Sequence, residues 1–192
     1  IVISLVVPII IRKFKKLSEW RNLYAIAGIA SLAFVVVAGQ VSYGAKLGFT
    51  IGGISIQPSE LVKIIFVFFV ASSFKKSLEF KNIVITTALA AFHVLILVVS
   101  KDLGAALIIF VVYLAMLYVA THQLLYILAG LGAGSVASVG AYYLFNHVRT
   151  RVIVWKDPFA SYDNGGYQVA QSLFAIGTGG WFGMGLYQGM PD

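Results

Sequence analysis

Glu60 and Lys63 stand three residues apart, just after Gln57-Pro58-Ser59, in a run that is otherwise strongly apolar. On a helix that spacing puts both charges on one face. One reading is local: Glu60 complements the positive helix terminus, Pro58 suits the first helical position, and Lys63 pairs with Glu60 or snorkels toward water. The other is chemical: the pair faces a water-accessible groove and organises a polar substrate or the outer loops. Asp102 precedes Leu103 at the place of an N-cap, a role sufficient to explain its type, with a substrate or proton role as the second reading. His93 lies in mid-run with no acid three or four positions away, which points to a hydrogen bond with a neighbouring helix rather than to a metal ligand. His122 and His147 fall at opposite ends of one apolar stretch and cannot cluster within it.

Further along, Arg149, Arg151 and Lys156 alternate with Val148, Val152, Ile153, Val154 and Trp155. This is the composition of a segment lying in the headgroup layer, apolar side down and cations toward phosphate. The planar fork of arginine suits phosphate oxygens, whether of bulk lipid or of a lipid diphosphate. The glycine-rich run from Gly177 to Gly185 matches neither phosphate-binding fingerprint and has no Lys-Ser/Thr ending, so it reads as a close-packed turn and not as a nucleotide loop. With no cysteine there is neither a disulfide framework nor a thiolate metal site, and no cofactor or metal is assigned.

The elements that must position these residues are set by lipid. Sixty per cent of the chain is hydrophobic and 11% charged, with a mean hydropathy of +0.93, a balance that a soluble domain of this size cannot hide from water. The net charge of +7 does not indicate nucleic acid, because the basic residues punctuate apolar runs instead of sharing one surface. A spanning helix needs about 20 mostly apolar residues. That rule predicts the end of one span over residues 1–11, full spans over 23–41, 57–74 and 82–100, and two more between 103 and 148, broken at Thr121-His122-Gln123. An ionisable group at the centre of such a helix costs about 2.5 to 3.5 kcal/mol, which is why Glu60, Lys63 and Asp102 draw notice.

Orientation follows from the basic loops. Arg12, Lys13, Lys15, Lys16 and Arg21 hold five of the fourteen basic residues, and Lys75, Lys76 and Lys81 add three. Two spans separate these groups, so both can lie on the cytoplasmic side. Residues 42–56, the Lys101-Asp102 pair and everything after Asn146 then lie outside. The expected organisation is a transmembrane helical region over 1–148 and the beginning of a large external loop over 149–192, with turn chemistry at Asp163-Asn164-Gly165-Gly166. Small residues crowd the sixth span from Gly130 to Gly140, as close helix packing in lipid requires.

Three groups of residues together resemble the SEDS family (FtsW/RodA/SpoVE-type). Gln57-Pro58-Ser59-Glu60-Leu61 with Lys63 is similar to the signature that opens an outer-face helix. Asp102-Leu103-Gly104-Ala105-Ala106 is similar to the family's Asp-Leu-Gly-Thr-Ala element. Gly166-Tyr167-Gln168, Gln171-Ser172-Leu173 and the stretch from Ala175 to Leu186 resemble its long external loop in order and spacing. The resemblance implies an all-α polytopic membrane protein of ten helices, of which this chain holds about six, from part of the second through the seventh.

It also implies a bacterial cytoplasmic (inner) membrane location and a peptidoglycan glycosyltransferase that polymerises lipid II, partnered by a class B penicillin-binding protein transpeptidase, with no nucleic acid. Lipid II flipping and a non-catalytic scaffold role are the alternatives. Gln57, Ser59, Glu60, Lys63, Asp102, Arg151, Tyr167, Gln168, Gln171 and Ser172 are the substrate-binding or site-organising residues it suggests. The family's catalytic Asp, in a Ser/Thr-Asp-Phe context, is expected beyond residue 192, so the chain by itself is expected to be inactive. Lys101 stands where a Pro often precedes the family Asp, and the division, elongation and sporulation branches are not separated.

Overall fold

The computed structural model describes residues 19–38, 40–42, 45–51, 54–185 and 188. The expected partial span over 1–11, the basic run from Arg12 to Lys16, and Leu186 lie outside them. The chain divides into two compact units, residues 1–131 and 132–192.

In the first unit α1 (Arg21–Ala38), α2 (Pro58–Lys76), α3 (Phe80–Val99) and α4 (Leu103–Thr121) form an antiparallel succession, and α5 (Leu124–Leu144) begins after it. The helices lie where apolar runs of spanning length predict them. Among the described residues Phe80–Val99, Leu103–Thr121 and Leu124–Leu144 are long and apolar enough to cross a membrane. α2 carries its charges at its ends, Glu60 in the first turn and Lys75 and Lys76 in the last.

One face of each of α1–α4 makes the core, whereas α5 has no buried residue. On α2 it is Val62, Phe66, Phe69, Val70 and Ser73; on α3, Ile83, Thr86, Ala90, His93 and Leu97; on α4, Ala105, Ala106, Ile109, Tyr113 and Leu117. The opposite faces carry Leu61, Ile64, Phe92, Leu95, Leu107 and Val111, all exposed. That division is inexpensive where the solvent is hydrocarbon, because association there depends on packing and not on removing apolar area from water.

His93 is the polar exception in this core. Its Nδ1 donates to the Leu89 carbonyl of its own helix at 2.8 Å, and its ring stacks on Phe69 and meets Phe66 edge-on, at centroid distances of 6.2 and 5.4 Å. The expected bond to a neighbouring helix is therefore replaced by one along α3, since the carbonyl four residues back is already in reach. The Nε2 edge of the ring points at α1: a Cβ at Gly28 would lie 2.7 Å from His93 Nε2, so glycine lets α1 approach α3 there. Between α3 and α4, the Thr87 and Tyr113 hydroxyls share a hydrogen bond of 2.6 Å.

Residues 40–56, expected as the end of the span over 23–41 and an external loop over 42–56, include a three-stranded antiparallel sheet, β1 (Gln40–Ser42), β2 (Ala45–Ile51) and β3 (Ile54–Ile56), so α1 stops at Ala38, short of the expected Val41. β1 pairs with β2 from Gln40↔Gly48 to Ser42↔Ala45, and β2 with β3 from Phe49↔Ile56 to Ile51↔Ile54. Thr50, Ile51, Ile54 and Ile56 are β-branched, which favours strands, and the segment is too short for a further span. The helical class stands, with this small sheet added at the end where α1 finishes and α2 begins.

α4 ends at His122, which takes the left-handed cap conformation (φ 53°) and donates its N–H to the Tyr118 carbonyl. This cap makes the predicted break at Thr121-His122-Gln123. Gly130 on α5 packs directly against Leu114, whereas Gly132 and Gly140 have open space beside them.

In the second unit α5 stops at Leu144, short of the expected Val148. Phe145 is extended (φ −120°, ψ 112°) and its carbonyl accepts from the Val148 and Arg149 N–H groups, opening α6 (Asn146–Lys156). A 3₁₀ turn at Tyr162–Asn164 and left-handed Gly165 (φ 100°) lead into α7 (Tyr167–Gly179). Gly166 has no room for a side chain, because a Cβ would run into the Pro158 and Ser161 carbonyl oxygens.

Candidate functional site

The starts of α2 and α4 meet beside the small sheet. Gln57 occupies the N-cap position of α2 with an extended backbone (φ −106°, ψ 106°), and Pro58 follows at the first helical position, where a missing N–H costs nothing. This conformation leaves the Gln57 side chain free of capping duty. Its Nε2 donates across to Asp102 Oδ2 at 3.4 Å. The other oxygen of Asp102, Oδ1, accepts the Ala105 N–H at 3.1 Å and caps α4.

Asp102 is itself held by a tight turn from α3. Ser100 and Lys101 donate their N–H groups to Ile96 and Val98, and Asp102 donates to Leu97 at 2.9 Å, while Lys101 takes a left-handed conformation (φ 66°). The capping reading of Asp102 is thus realised by Oδ1, while Oδ2 takes a contact across to Gln57 that local spacing does not announce.

Glu60 and Lys63 form the ion pair their spacing predicts, 2.8 Å apart, with Glu60 mostly exposed and Lys63 largely covered. At this exposure such a pair contributes little to stability, about 0 to 1 kcal/mol, so its charges stay available to a polar ligand. Ser59, one residue before Glu60, is buried and its Oγ has no hydrogen-bond partner. A buried hydroxyl without a partner costs about 1 to 3 kcal/mol, and it marks the place in this cluster where one more polar group would be welcome.

The remaining sequence-derived residues lie in the second unit. Arg151 is exposed on α6. On α7, Tyr167 and Gln171 share a face by their i, i+4 spacing. The Tyr167 ring meets Tyr162 edge-on at 5.3 Å, and Gln171 Nε2 reaches the Tyr162 hydroxyl at 3.5 Å. Gln168 and Ser172 share the adjacent face, with Ser172 Oγ donating to the Gln168 carbonyl at 2.8 Å. Tyr162 was not among the residues read from the sequence; it stands outside the motif, and only the turn through Gly165 and Gly166 brings it to α7. Among the described residues no group of three His, Cys, Asp or Glu side chains is placed to hold a metal ion.

A succession of apolar helices whose acidic, basic and amide side chains stand near the helix ends in the first unit, with His93 the buried exception, defines a polytopic α-helical membrane protein. The chain belongs to the FtsW/RodA/SpoVE family, whose model, described as "Cell cycle protein", matches residues 1–191. It is 37% identical over 185 residues to the "Peptidoglycan glycosyltransferase RodA" of Mycobacterium leprae (strain TN), an alignment covering 87% of this chain and 40% of that protein. It is 32% identical over 177 residues to the "Probable peptidoglycan glycosyltransferase FtsW" of Tolumonas auensis, covering 88% of this chain and 45% of that one. A solved structure described as "Structural coordination of polymerization and crosslinking by a peptidoglycan synthase complex" contains a chain that matches with a TM-score of 0.66 and 28% identity, over 87% of this chain and 51% of that one. The chain therefore spans less than half the length of these curated relatives.

Proposed function

We propose that the protein to which these residues belong is a peptidoglycan glycosyltransferase that polymerises lipid II at the outer face of the bacterial cytoplasmic membrane, with the sheet end of α1–α4 outside and the basic end inside. The observation that carries this reading is the Gln57–Asp102 contact: two motifs 45 residues apart in sequence meet in one polar cluster, and both are motifs by which the chain resembles its family. The names of the RodA and FtsW relatives support the reaction, and the peptidoglycan synthase complex supports a crosslinking partner, a penicillin-binding transpeptidase.

In this mechanism a carboxylate takes the proton from a sugar hydroxyl of one lipid-linked molecule. The hydroxyl oxygen attacks the anomeric carbon of another, and the lipid diphosphate leaves. General-base catalysis requires hydrogen-bond reach to that hydroxyl, and that carboxylate is expected outside these 192 residues. The chain's own residues bind and orient. Gln57, Ser59, Glu60, Lys63 and Asp102 organise the polar end of the helices, with Lys63 a cation suited to the charge on the leaving diphosphate, and the external segment over 149–192 contributes Arg151, whose guanidinium suits phosphate oxygens, with Tyr167, Gln168, Gln171 and Ser172.

The test is reconstitution of the intact protein in liposomes with labelled lipid II, scoring polymer and translocation separately. Polymer is expected. Translocation without polymer would replace this reading by a flippase. An Arg151→Ala variant polymerising at the unsubstituted rate would remove Arg151 from the mechanism.

A further inference from the structure

The basic end of the first unit carries a feature that glycan synthesis does not use. There α2 and α4 touch through Phe74 and Tyr113, ring centroids 6.2 Å apart. Beside that contact a groove of about 470 Å³ runs between the two helices, walled by Ala71, Phe74, Leu78, Met116 and Val119, with Lys75 as the charged member of its lining. Positions 71, 74 and 75 follow the three-and-four spacing of one helical stripe, so Ala71, Phe74 and the lysine belong to the same face, and Leu78 joins the wall from the connection after α2. Lys76 adjoins it in the last turn of α2.

The local charge is positive: Arg21, Lys75, Lys76 and Lys81 stand against Glu19 and Glu79 near this end. The site therefore pairs a hydrocarbon slot, at the depth of the last turns of spanning helices, with cations at the depth where phosphates lie. Basic pockets between membrane helices bind anionic lipid headgroups on this principle. A zwitterionic lipid would gain the slot without the charge; a water-soluble anion would gain the charge without the slot.

We propose that this groove is a binding site for an anionic glycerophospholipid, with one acyl chain between α2 and α4 and the phosphate held at Lys75 and Lys76. The occupant is bulk membrane lipid, and the site is separate from the Gln57–Asp102 cluster at the opposite end of the same helices.

The intact protein would be reconstituted in nanodiscs of equal parts phosphatidylglycerol and phosphatidylcholine, then released and examined by native mass spectrometry for retained lipid. Preferential retention of phosphatidylglycerol is expected. Lys75→Gln and Lys76→Gln should each lower that preference about fivefold, and Lys75→Arg should keep it. Ala71→Phe, which fills the slot from an exposed position and leaves both lysines in place, should abolish retention, with thermal unfolding of each variant compared to confirm the fold. Equal retention of the two lipids overturns the proposal. Loss with the lysine variants but not with Ala71→Phe also overturns it, because the lysines would then act as a diffuse surface patch. None of these readouts involves lipid II, so failure here leaves the proposed polymerase activity standing, and the reverse.

Discussion

The two ends of α1–α4 solve the same problem, how to finish helices in or near lipid, with opposite uses of polarity. At the basic end Arg21 Nη1 donates to Asn82 Oδ1 at 2.8 Å, and Asn82 Nδ2 donates to the Ser73 and Ser77 carbonyls at 2.9 and 2.6 Å. One amide thereby ties the start of α1, the end of α2 and the start of α3, and both kinds of polar atom on it are occupied. At the sheet end Gln57 reaches Asp102 only at 3.4 Å, the Glu60–Lys63 pair is half open to solvent, and Ser59 Oγ is buried without a partner. Buried hydroxyls without partners occur at both ends, Tyr24 Oη and Ser73 Oγ at the first and Ser59 Oγ at the second, so the difference lies in the amide and charged groups, which the first end uses on the fold. The second holds them with capacity to spare, which is the condition for binding something else.

This contrast predicts that substitutions at the two ends separate stability from activity. The largest loss of stability is expected from Asn82→Ala, which removes three hydrogen bonds at about 1 kcal/mol each, a fall of about 2 to 3 kcal/mol readable as a lower midpoint of thermal unfolding in detergent. Lipid II polymerisation per folded molecule should change little; its disappearance with the midpoint unmoved would break the contrast outright.

Asp102→Ala should cost about 1 kcal/mol from the lost cap of α4, and Asp102→Asn much less, because an asparagine oxygen caps nearly as well. Polymerisation by the intact protein should fall further than either stability change explains. If the two variants lose activity only in proportion to unfolding, Asp102 is a cap and nothing more.

Breaking the ion pair with Glu60→Gln or Lys63→Met should move stability by no more than about 0.5 kcal/mol, since an exposed pair is screened by water and salt. A kinetic split sharpens the reading: a raised KM with kcat held would make the pair a binding element, whereas a lowered kcat would place it closer to the reacting groups. The smallest expected effect is from Ser59→Ala. The hydroxyl has no partner to lose, so stability should stay level or rise by less than about 1 kcal/mol. A drop in polymer synthesis without any stability loss would show that substrate supplies the missing partner.

Spans, caps and ion pair were legible because they are local. Apolar runs of membrane length locate α1–α5, Asp102 before Leu103 announces a cap, and Glu60 with Lys63 at three residues' spacing must meet on any helix. His93 was read only halfway: its burial follows from its place in an uncharged run, but its bond to Leu89 was assigned to another helix, because sequence does not tell which of two reachable acceptors wins. The small sheet over residues 40–56 was missed since polar and glycine-rich connections between spans give short strands too little periodicity to register. The stop of α5 at Leu144 was missed for a related reason: no proline or charge marks Phe145, and the break is made by its carbonyl capping the next helix.

The sequence by itself determined the solvent, the place of the five long helices among the described residues, and the motifs that define the family, because these depend on composition and on contacts within a few residues. The tertiary structure decided which helix ends share a neighbourhood. Gln57 and Asp102, Arg21 and Asn82, and Phe74 and Tyr113 are each distant in sequence, and only the antiparallel return of the chain brings them into contact. A hydrogen bond or ring contact between spans depends on their rotation and depth, which packing sets and local spacing does not.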